Sequence, residues 1–304
     1  MMNQKIDQLS EVVLREIGGR MVGKRLVPLL RLLFSRQARE FSRLLLALED
    51  GLDCPQPWLT ARATASALSG GLEIRAQERV PAEGPLLALA NHPGMADAIA
   101  AFGCLPRADT LVVAGRTPIL TGLPNISRRL IYLPENKAGG MVVLRAMVDW
   151  LRKGGAVFYF PYGLLEPDPA RVPGAANTLQ AWSGSIGAVL SRAPETKLLP
   201  MLISGVLSKR AWESGLLSQV VKTKRRHQLA MIWQFIRRVG AHGRDWDSVM
   251  RVDIGQSLPA RSLSARLDPA EINAAARAAF GGLLTDTFPE DPGMLPVCDY
   301  VTPA

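Results

Sequence analysis

The sequence predicts an α/β fold with a mixed, mainly parallel central sheet, flanked by helices and preceded by an N-terminal helical segment. Two observations favour this fold. Between residues 70 and 205, short apolar runs bounded by turn residues alternate with helical patterns, as in layered α/β domains. Residues 1–50 instead repeat apolar residues at helical spacing. We therefore expect a helical segment over residues 1–69 and an α/β domain over residues 70–304.

Individual elements follow from the same patterns. The predicted strands are Leu86–Ala90, Leu111–Val113, Leu130–Leu133, Ala156–Phe160, Leu198–Ile203 and Arg251–Ile254. The predicted helices are Ala96–Phe102, Met141–Arg152, Leu179–Ser191 and Pro269–Leu284. A basic helical insertion is expected at about residues 205–248.

Composition limits the function classes. The chain has 304 residues, of which 48% are hydrophobic and 21% are charged, and this composition indicates a folded protein and argues against wholesale disorder. Three cysteines without a CxxC pair favour a reduced, cytoplasmic setting and give no metal-binding cluster. Charged residues near the start and the lack of an 18-residue uncharged apolar run predict neither a signal peptide nor a membrane-spanning helix.

The net charge of +9 favours an anionic partner. Residues 204–244 contain nine Lys and Arg residues against the single acid Glu213, interleaved with Trp212 and Trp233. This pattern is typical of an anionic membrane surface or an acidic carrier protein as partner, although a solvated face would show it too. Nucleic acid is disfavoured because no DNA- or RNA-binding motif accompanies the charge.

The N-terminal region has a similar pattern. Residues 15–43 hold eight basic residues and two acids. The apolar stripe consists of Leu26, Leu29, Leu30, Leu33 and Phe34. This amphipathic region would either pack on the α/β domain or contact an anionic bilayer, and both can hold at once.

The candidate chemistry lies in the segment that follows the strand Leu86–Ala90. His92 and Asp97 are five positions apart, which on one helix would separate them by roughly 140°, so they can meet only if His92 precedes the helix. Pro93 and Gly94 favour that arrangement. Asp97 would then orient the imidazole, and His92 would act as a general base, with backbone amides of the Gly94 turn stabilising an oxyanion. The alternative is that His92 and Asp97 only cap a helix.

Other candidates are weaker. The sequence from Ser183 to Gly187 approaches a nucleophile elbow but lacks its first glycine, so a serine hydrolase is disfavoured. His227 and His242 have no acidic partner at useful spacing and are expected at the surface.

Several motifs together resemble the PlsC-type glycerolipid acyltransferase family over about residues 70–260. They are Gly84-Pro85, the box Asn91-His92 with Asp97, the box Phe160-Pro161-Tyr162-Gly163, and Leu199-Pro200. The family pairs an NHxxxxD box with an FPEG-like box, and here 68 positions separate His92 from Phe160. The resemblance implies His92 and Asp97 as catalytic residues, with Asn91, Gly94 and residues 160–163 around the substrate.

The resemblance also implies a function. A fatty acyl group would pass from an acyl-CoA or acyl-carrier-protein thioester to the hydroxyl of a lipid acceptor, with no cofactor beyond the acyl donor. The protein would be cytoplasmic and peripherally associated with the inner face of the membrane. Two alternatives are a lipid-binding relative without turnover and a thioesterase that uses the same His-Asp pair.

Two departures from the family pattern bear on the acceptor. Tyr162 stands where the family has a glutamate, and it would either favour a less charged acceptor or only fill space. The family's phosphate-binding arginine after the strand Leu130–Leu133 is missing, which leaves Lys137, Arg128 and Arg129 as candidates. Arg128 and Arg129 would otherwise be solvated loop charges. These departures favour a lysophospholipid or glycolipid over a small phosphorylated triol.

Overall fold

Eight β-strands form one mixed sheet at the centre of the structure, a computed structural model that describes residues 2–18, 27–134, 139–215, 219–220, 222–240 and 248–289. The strands are β1 Leu72–Arg75, β2 Leu86–Ala90, β3 Thr110–Gly115, β4 Leu130–Leu133, β5 Ala156–Tyr159, β6 Lys197–Ser204, β7 Met250–Ile254 and β8 Leu258–Pro259. Their order is β1-β7-β6-β2-β5-β3-β4, and β8 pairs with β6.

Helices cover both faces of this sheet. The α-helices are α1 Met2–Val13, α2 Val27–Gly51, α3 Pro57–Leu68, α4 Asp97–Cys104, α5 Pro118–Thr121, α6 Pro124–Ser127, α7 Gly140–Arg152, α8 Ser185–Leu190, α9 Lys209–Trp212, α10 Thr223–Gly240, α11 Ala260–Leu263 and α12 Pro269–Thr287. A π-helical turn covers Leu14–Gly18, and 3-10 helices cover Gln77–Arg79 and Ala175–Ala181.

Strands β2 to β6 run in the same direction, whereas β7 is antiparallel to β6 and β1 is parallel to β7. The last residues of β2 to β6 therefore meet at one edge, together with the first residues of β1 and β7. We call this the carboxyl edge, and the opposite side the amino edge. In parallel sheets, ligands bind outside the carboxyl ends of the strands, so the loops at this edge are the first place to search for a site.

Two hydrophobic clusters lie on the two faces of the sheet. Residues of α2, α3 and α4 pack on one face, and residues of α7, α8 and α12 pack on the other. All five residues of β2 are buried, as expected of a strand covered on both faces. The predicted fold class is confirmed, with a mixed, mostly parallel sheet between helical layers.

One predicted helix is wrong, and one strand was not predicted. The helix expected over Leu179–Ser191 is wrong: a 3-10 helix ends at Ala181 and α8 begins at Ser185. Ser183 and Gly184 interrupt the helix between them. Strand β1 was not predicted, because it is a four-residue edge strand whose residues alternate between exposed and half-buried, with no continuous apolar run.

The N-terminal helices pack partly on the core. Leu45 and Leu48 of α2 are buried with α4, and Phe34 packs against the same cluster. Leu33 of the predicted apolar stripe is instead 56% exposed. Leu26 lies outside the described residues, as do the side chains of Leu29 and Leu30. The division of the chain at residue 69 stays a prediction.

Within the described residues, no helix combines the length and the apolar character that crossing a bilayer requires.

The contact between α8 and α12 gives a direct test of the packing. A Cβ on Gly187 would lie 1.9 Å from the Pro269 carbonyl oxygen, which is backbone and cannot swing aside. We expect Gly187→Ala to lower the free energy of unfolding by about 2 kcal/mol or more. Gly282→Ala is the matched control, because it lies in the open on α12 and should stabilise by about 0.5–1 kcal/mol. Urea unfolding of both variants measures this, and equal shifts would contradict the close approach.

Candidate active site

His92 and Asp97 meet at the carboxyl edge. The chain leaves β2 at Ala90, turns through Pro93 and Gly94, and enters α4 at Asp97. His92 Nδ1 lies 2.7 Å from Asp97 Oδ2, and the side chain of Asp97 is fully buried while that of His92 is 31% exposed. The predicted pairing is therefore present, with His92 ahead of the helix.

Asp97 also fixes the turn that carries His92. Its Oδ2 accepts the Gly94 N–H at 2.8 Å, and its Oδ1 accepts the Ala98 N–H at 2.7 Å. The Gly94 amide, expected to stabilise an oxyanion, therefore donates to Asp97 instead. A Cβ on Gly94 would lie 2.4 Å from Val206 Cγ1, so only glycine lets this turn approach the loop after β6.

The charges around His92 act against the effect of its burial. Burial opposes the charge and would lower the pKa, but the Asp97 carboxylate and its hydrogen bond, with a contribution from Glu166, raise the pKa of His92 above its ordinary value. Phe160 stacks on the imidazole with ring centroids 4.4 Å apart. The first residue of the FPEG-like box therefore holds the plane of the ring.

Glu166 is the functional residue that the sequence analysis missed. Its Oε2 accepts the His92 backbone N–H at 2.9 Å, and its own N–H donates to the His92 carbonyl at 2.8 Å. Its Oε1 accepts bonds from Thr178 Oγ1 at 2.8 Å and Trp182 Nε1 at 2.9 Å. Glu166, a buried carboxyl residue, thus fixes the backbone of His92 through its N–H and its carbonyl group. In the sequence, the one indication of this role is that Glu166 is an acid shortly after the FPEG-like box, in which Tyr162 replaces the glutamate.

Burial raises the pKa of Glu166 to about 7, against the opposing effect of its bonds from Trp182, Thr178 and the His92 amide. Thr178 Oγ1 also lies 2.9 Å from the Ala175 carbonyl. When Glu166 is charged, the Thr178 hydroxyl can donate its proton to the carboxylate. When Glu166 is protonated and donates to Thr178, the Thr178 hydroxyl can donate to the Ala175 carbonyl instead. The hydrogen bonds are therefore satisfied in both charge states of Glu166.

A second buried acid fixes the loop after β6. Asp168 accepts the N–H groups of Gly205 at 2.9 Å and Leu207 at 2.7 Å. This loop is the one that packs on Gly94. Glu166 and Asp168, two residues apart, thereby tie the segment after β5 to the loops after β2 and β6.

His227 lies above the same turn. It is fully buried, and its ring hydrogen-bonds the Pro93 backbone. Burial lowers its pKa to about 4. The expectation that His227 is a surface residue is wrong, because α10 folds over the His92 turn and covers it. His242 lies outside the described residues.

The other residues of the NHxxxxD and FPEG-like boxes occupy different places around the sheet. The Asn91 side chain is buried and pairs with both the N–H and the carbonyl of Ile203, so it joins β2 to β6. Pro161 is buried, and Gly163 is an exposed turn residue with a φ of 71°. Tyr162 is half-buried and packs against the cluster on the face with α7 and α8. Phe160, by contrast, packs on the α4 side with His92.

The structure does not bring the candidate phosphate ligands to His92. Arg128 and Arg129 precede β4 and therefore lie at the amino edge. Arg128 pairs with Asp53, and Arg129 donates to the carbonyls of Ala108 and Leu52. Burial lowers the pKa of Arg129. Lys137 lies outside the described residues.

Two apolar cavities flank α4. The larger, of about 150 Å³, lies between α2, α4 and β3. Its lining includes Leu45, Leu48, Ala98, Phe102, Ala114 and Leu120. The smaller, of about 60 Å³, is lined by Phe41, Met95, Val206, Met231 and Phe235 among others. Ile99, two residues beyond Asp97, lines both. An apolar cavity of about 150 Å³ can hold a small apolar group.

Among the described residues, no cluster of His, Cys, Asp and Glu has the arrangement of a metal site.

No family model matches the sequence, and no curated protein matches it. Among solved structures, the chain is similar to the 1-acyl-sn-glycerophosphate (LPA) acyltransferase PlsC from Thermotoga maritima, with 14% identity and a TM-score of 0.45. The similarity covers 93% of this chain and 94% of that chain. Likeness at this level carries no argument about function.

Glu166 should influence the ionisation of His92. Glu166→Gln removes a nearby negative charge, so we expect the His92 pKa to fall, as measured by NMR titration of the imidazole. The amide NH₂ of the glutamine would also face groups that donate hydrogen bonds to Glu166. The bond lost in this way should lower the free energy of unfolding by about 1–3 kcal/mol. Glu213→Gln is the matched control, because Glu213 is exposed and directly follows α9. A His92 pKa that is unchanged in Glu166→Gln would refute the coupling.

Because His227 is buried, we expect acid to lower the free energy of unfolding. Because its pKa is about 4 in the folded chain and about 6.5 in the unfolded chain, its contribution to stability is present above pH 6.5 and is lost as the pH falls towards 4. The difference corresponds to about 3 kcal/mol. His227→Gln does not titrate, so its free energy of unfolding should fall less over this range. Urea unfolding at pH 7 and pH 4 tests this, and parallel losses would rule out His227 as the cause.

Proposed function

We propose that this protein is an acyltransferase that moves a fatty acyl group from an acyl-CoA or acyl-carrier-protein thioester to the hydroxyl of an amphiphilic lipid acceptor. The observation that carries the proposal is the His92–Asp97 pair at the carboxyl edge, with the ring half-exposed and the carboxylate buried. The resemblance of both sequence boxes to the PlsC-type family supports the reaction class.

The mechanism follows from the tautomer that Asp97 selects. With Nδ1–H donated to Asp97, the other ring nitrogen, Nε2, is the basic site. Nε2 takes the proton of the acceptor hydroxyl as its oxygen bonds to the thioester carbonyl carbon. The tetrahedral intermediate then expels the thiolate, the carbon–sulfur bond breaks, and the imidazolium returns the proton to sulfur. The products are an ester and a free thiol, and no acyl-enzyme forms.

The buried Asp97 supplies the electrostatic part of this step. It stabilises the imidazolium as that charge develops, and its bonds to Gly94 and Ala98 keep it from moving when the ring becomes charged. Phe160 and Glu166 hold the ring plane and the backbone of His92, so the base is positioned before substrate binds.

The cavities support an acceptor that already carries an acyl chain. Two separate apolar spaces begin beside Ile99, one on each side of α4. At about 150 and 60 Å³, they have room for short apolar groups, such as the first part of an acyl chain of the donor or the acceptor. Arg128 and Arg129 lie at the amino edge and not beside His92, which argues against a small phosphorylated acceptor. Acceptors that already carry an acyl chain lie in membranes, so we also propose peripheral association with the inner face of the membrane.

Labelled acyl donors test the reaction directly. The full-length protein is incubated with radiolabelled acyl-CoA or acyl-carrier protein and a total lipid extract, and the products are separated. A labelled lipid ester supports the proposal and identifies donor and acceptor. Labelled free fatty acid would indicate a thioesterase, and binding without turnover would indicate a lipid-binding relative.

Variants at the dyad separate base catalysis from other routes. We expect His92→Ala to abolish transfer and Asp97→Asn to slow it by about 100-fold or more. Because the His92 pKa is raised above 6.5, the rate should decrease on acidification with a midpoint above pH 6.5. Asp97→Asn should move this midpoint of the pH–rate profile to lower pH.

Ser185→Ala is the control for a serine nucleophile, because Ser185 stands at the nucleophile position of the incomplete elbow. Ser185 begins α8, its Oγ lies 3.2 Å from the Tyr159 hydroxyl, and its loss should leave the rate unchanged. Transfer that survives in His92→Ala, or that disappears in Ser185→Ala, would overturn the mechanism.

A further inference from the structure

Exposed apolar side chains concentrate at the carboxyl edge. Of the ten large hydrophobic side chains exposed among the described residues, six lie there: Met95, Leu133, Met141, Val142, Leu164 and Val249. We call these six the apolar rim. Met141 and Val142 are 64% and 71% exposed at the start of α7. Leu59 is the counterpart at the amino edge, near the start of α3.

The sheet topology explains how residues distant in sequence form this rim. Met95 follows β2, Leu164 follows β5, and Leu133 ends β4, while Val249 precedes β7, whose first residue lies at the same edge. From β7 to β4 there are five strand intervals of about 4.8 Å, so the rim extends over about 24 Å. It is a row of separate side chains from several loops, without a single deep groove.

The same edge is basic. The exposed cations are Arg116 after β3, Arg145 one turn into α7, Lys209 and Arg210 after β6, and Lys222 and Arg225 at the start of α10. In the described loops and helix starts that leave this edge, Glu213 is the one exposed acid, because Glu166 and Asp168 are buried.

We propose that the apolar rim is the surface by which the protein docks on an anionic lipid bilayer, with the basic residues beside it contacting the headgroups. Shallow apolar side chains spread along a line suit a fluid interface, into which each inserts independently. Cations around them add attraction to anionic lipid. This inference rests on the proposed function, since it places His92 at the bilayer surface where a lipid acceptor lies.

Docking in this orientation explains the exposure of apolar side chains around a catalytic histidine. Met95 belongs both to the rim and to the lining of the smaller cavity. Met95 would therefore connect the bilayer surface to this cavity, while the acceptor headgroup stays beside the basic residues.

Vesicle binding tests the proposal with the full-length protein. The probe is a vesicle of phosphatidylglycerol and phosphatidylcholine, and the test variant is Met141→Ser with Val142→Ser. Both residues are exposed at a helix start, where serine is well tolerated, so the fold should survive. We expect affinity to fall at least about tenfold. The matched control, Leu59→Ser, should bind like the wild type.

Three outcomes would overturn the inference. The double variant could bind vesicles as tightly as Leu59→Ser does. Binding could be lost only in Leu32→Ser with Leu33→Ser, which would assign docking to α2. The rim variant could keep vesicle binding but lose affinity for acyl-carrier protein, which would assign the rim to that partner.

Activity on a detergent-dispersed acceptor distinguishes this test from the proposed function. If the rim is the docking surface, the double variant keeps its rate on dispersed acceptor and loses it on vesicle-embedded acceptor. If the wild type binds vesicles through the rim but acylates no acceptor in either form, the proposed function fails and the docking surface stands.

Discussion

A buried carboxylate organises the carboxyl edge of this protein. Asp97 has no solvent to stabilise it, so its charge depends on the His92 ring and on the amides of Gly94 and Ala98. Those three donors can converge only if the chain turns sharply between β2 and α4. The same interactions that satisfy a buried charge therefore fix the position of the histidine.

A second carboxylate supports His92 from the backbone side. Glu166 binds the amide of His92 while Asp97 binds its ring, so the residue is held at two points by two acids with different surroundings. Burial raises the pKa of Glu166 to about 7, and the Thr178 hydroxyl gives either charge state a partner. The site therefore tolerates a change of proton number near neutral pH without leaving a buried polar group unsatisfied.

The sequence predicted what depends on local pattern and missed what depends on long-range contact. The buried strands, the turn at Pro93 and the start of α12 at Pro269 follow from apolar runs and capping residues, and all are present. Glu166 was missed because its role comes from contacts with His92, Thr178 and Trp182, up to 74 positions away. His227 was misplaced for the same reason, since its neighbours in sequence are basic and polar while its neighbours in space are the His92 turn.

The position of α10 couples two parts of the molecule that are distant in sequence. His227 bonds the Pro93 backbone, and Met231 Sδ would lie 3.1 Å from a Cβ on Gly94, so the helix rests directly on the turn. Lys222 and Arg225 stand at the exposed start of that same helix. A partner that binds these cations would therefore bind the helix that packs on the segment carrying His92. The position of His92 thus depends on a helix more than 130 positions later in the chain.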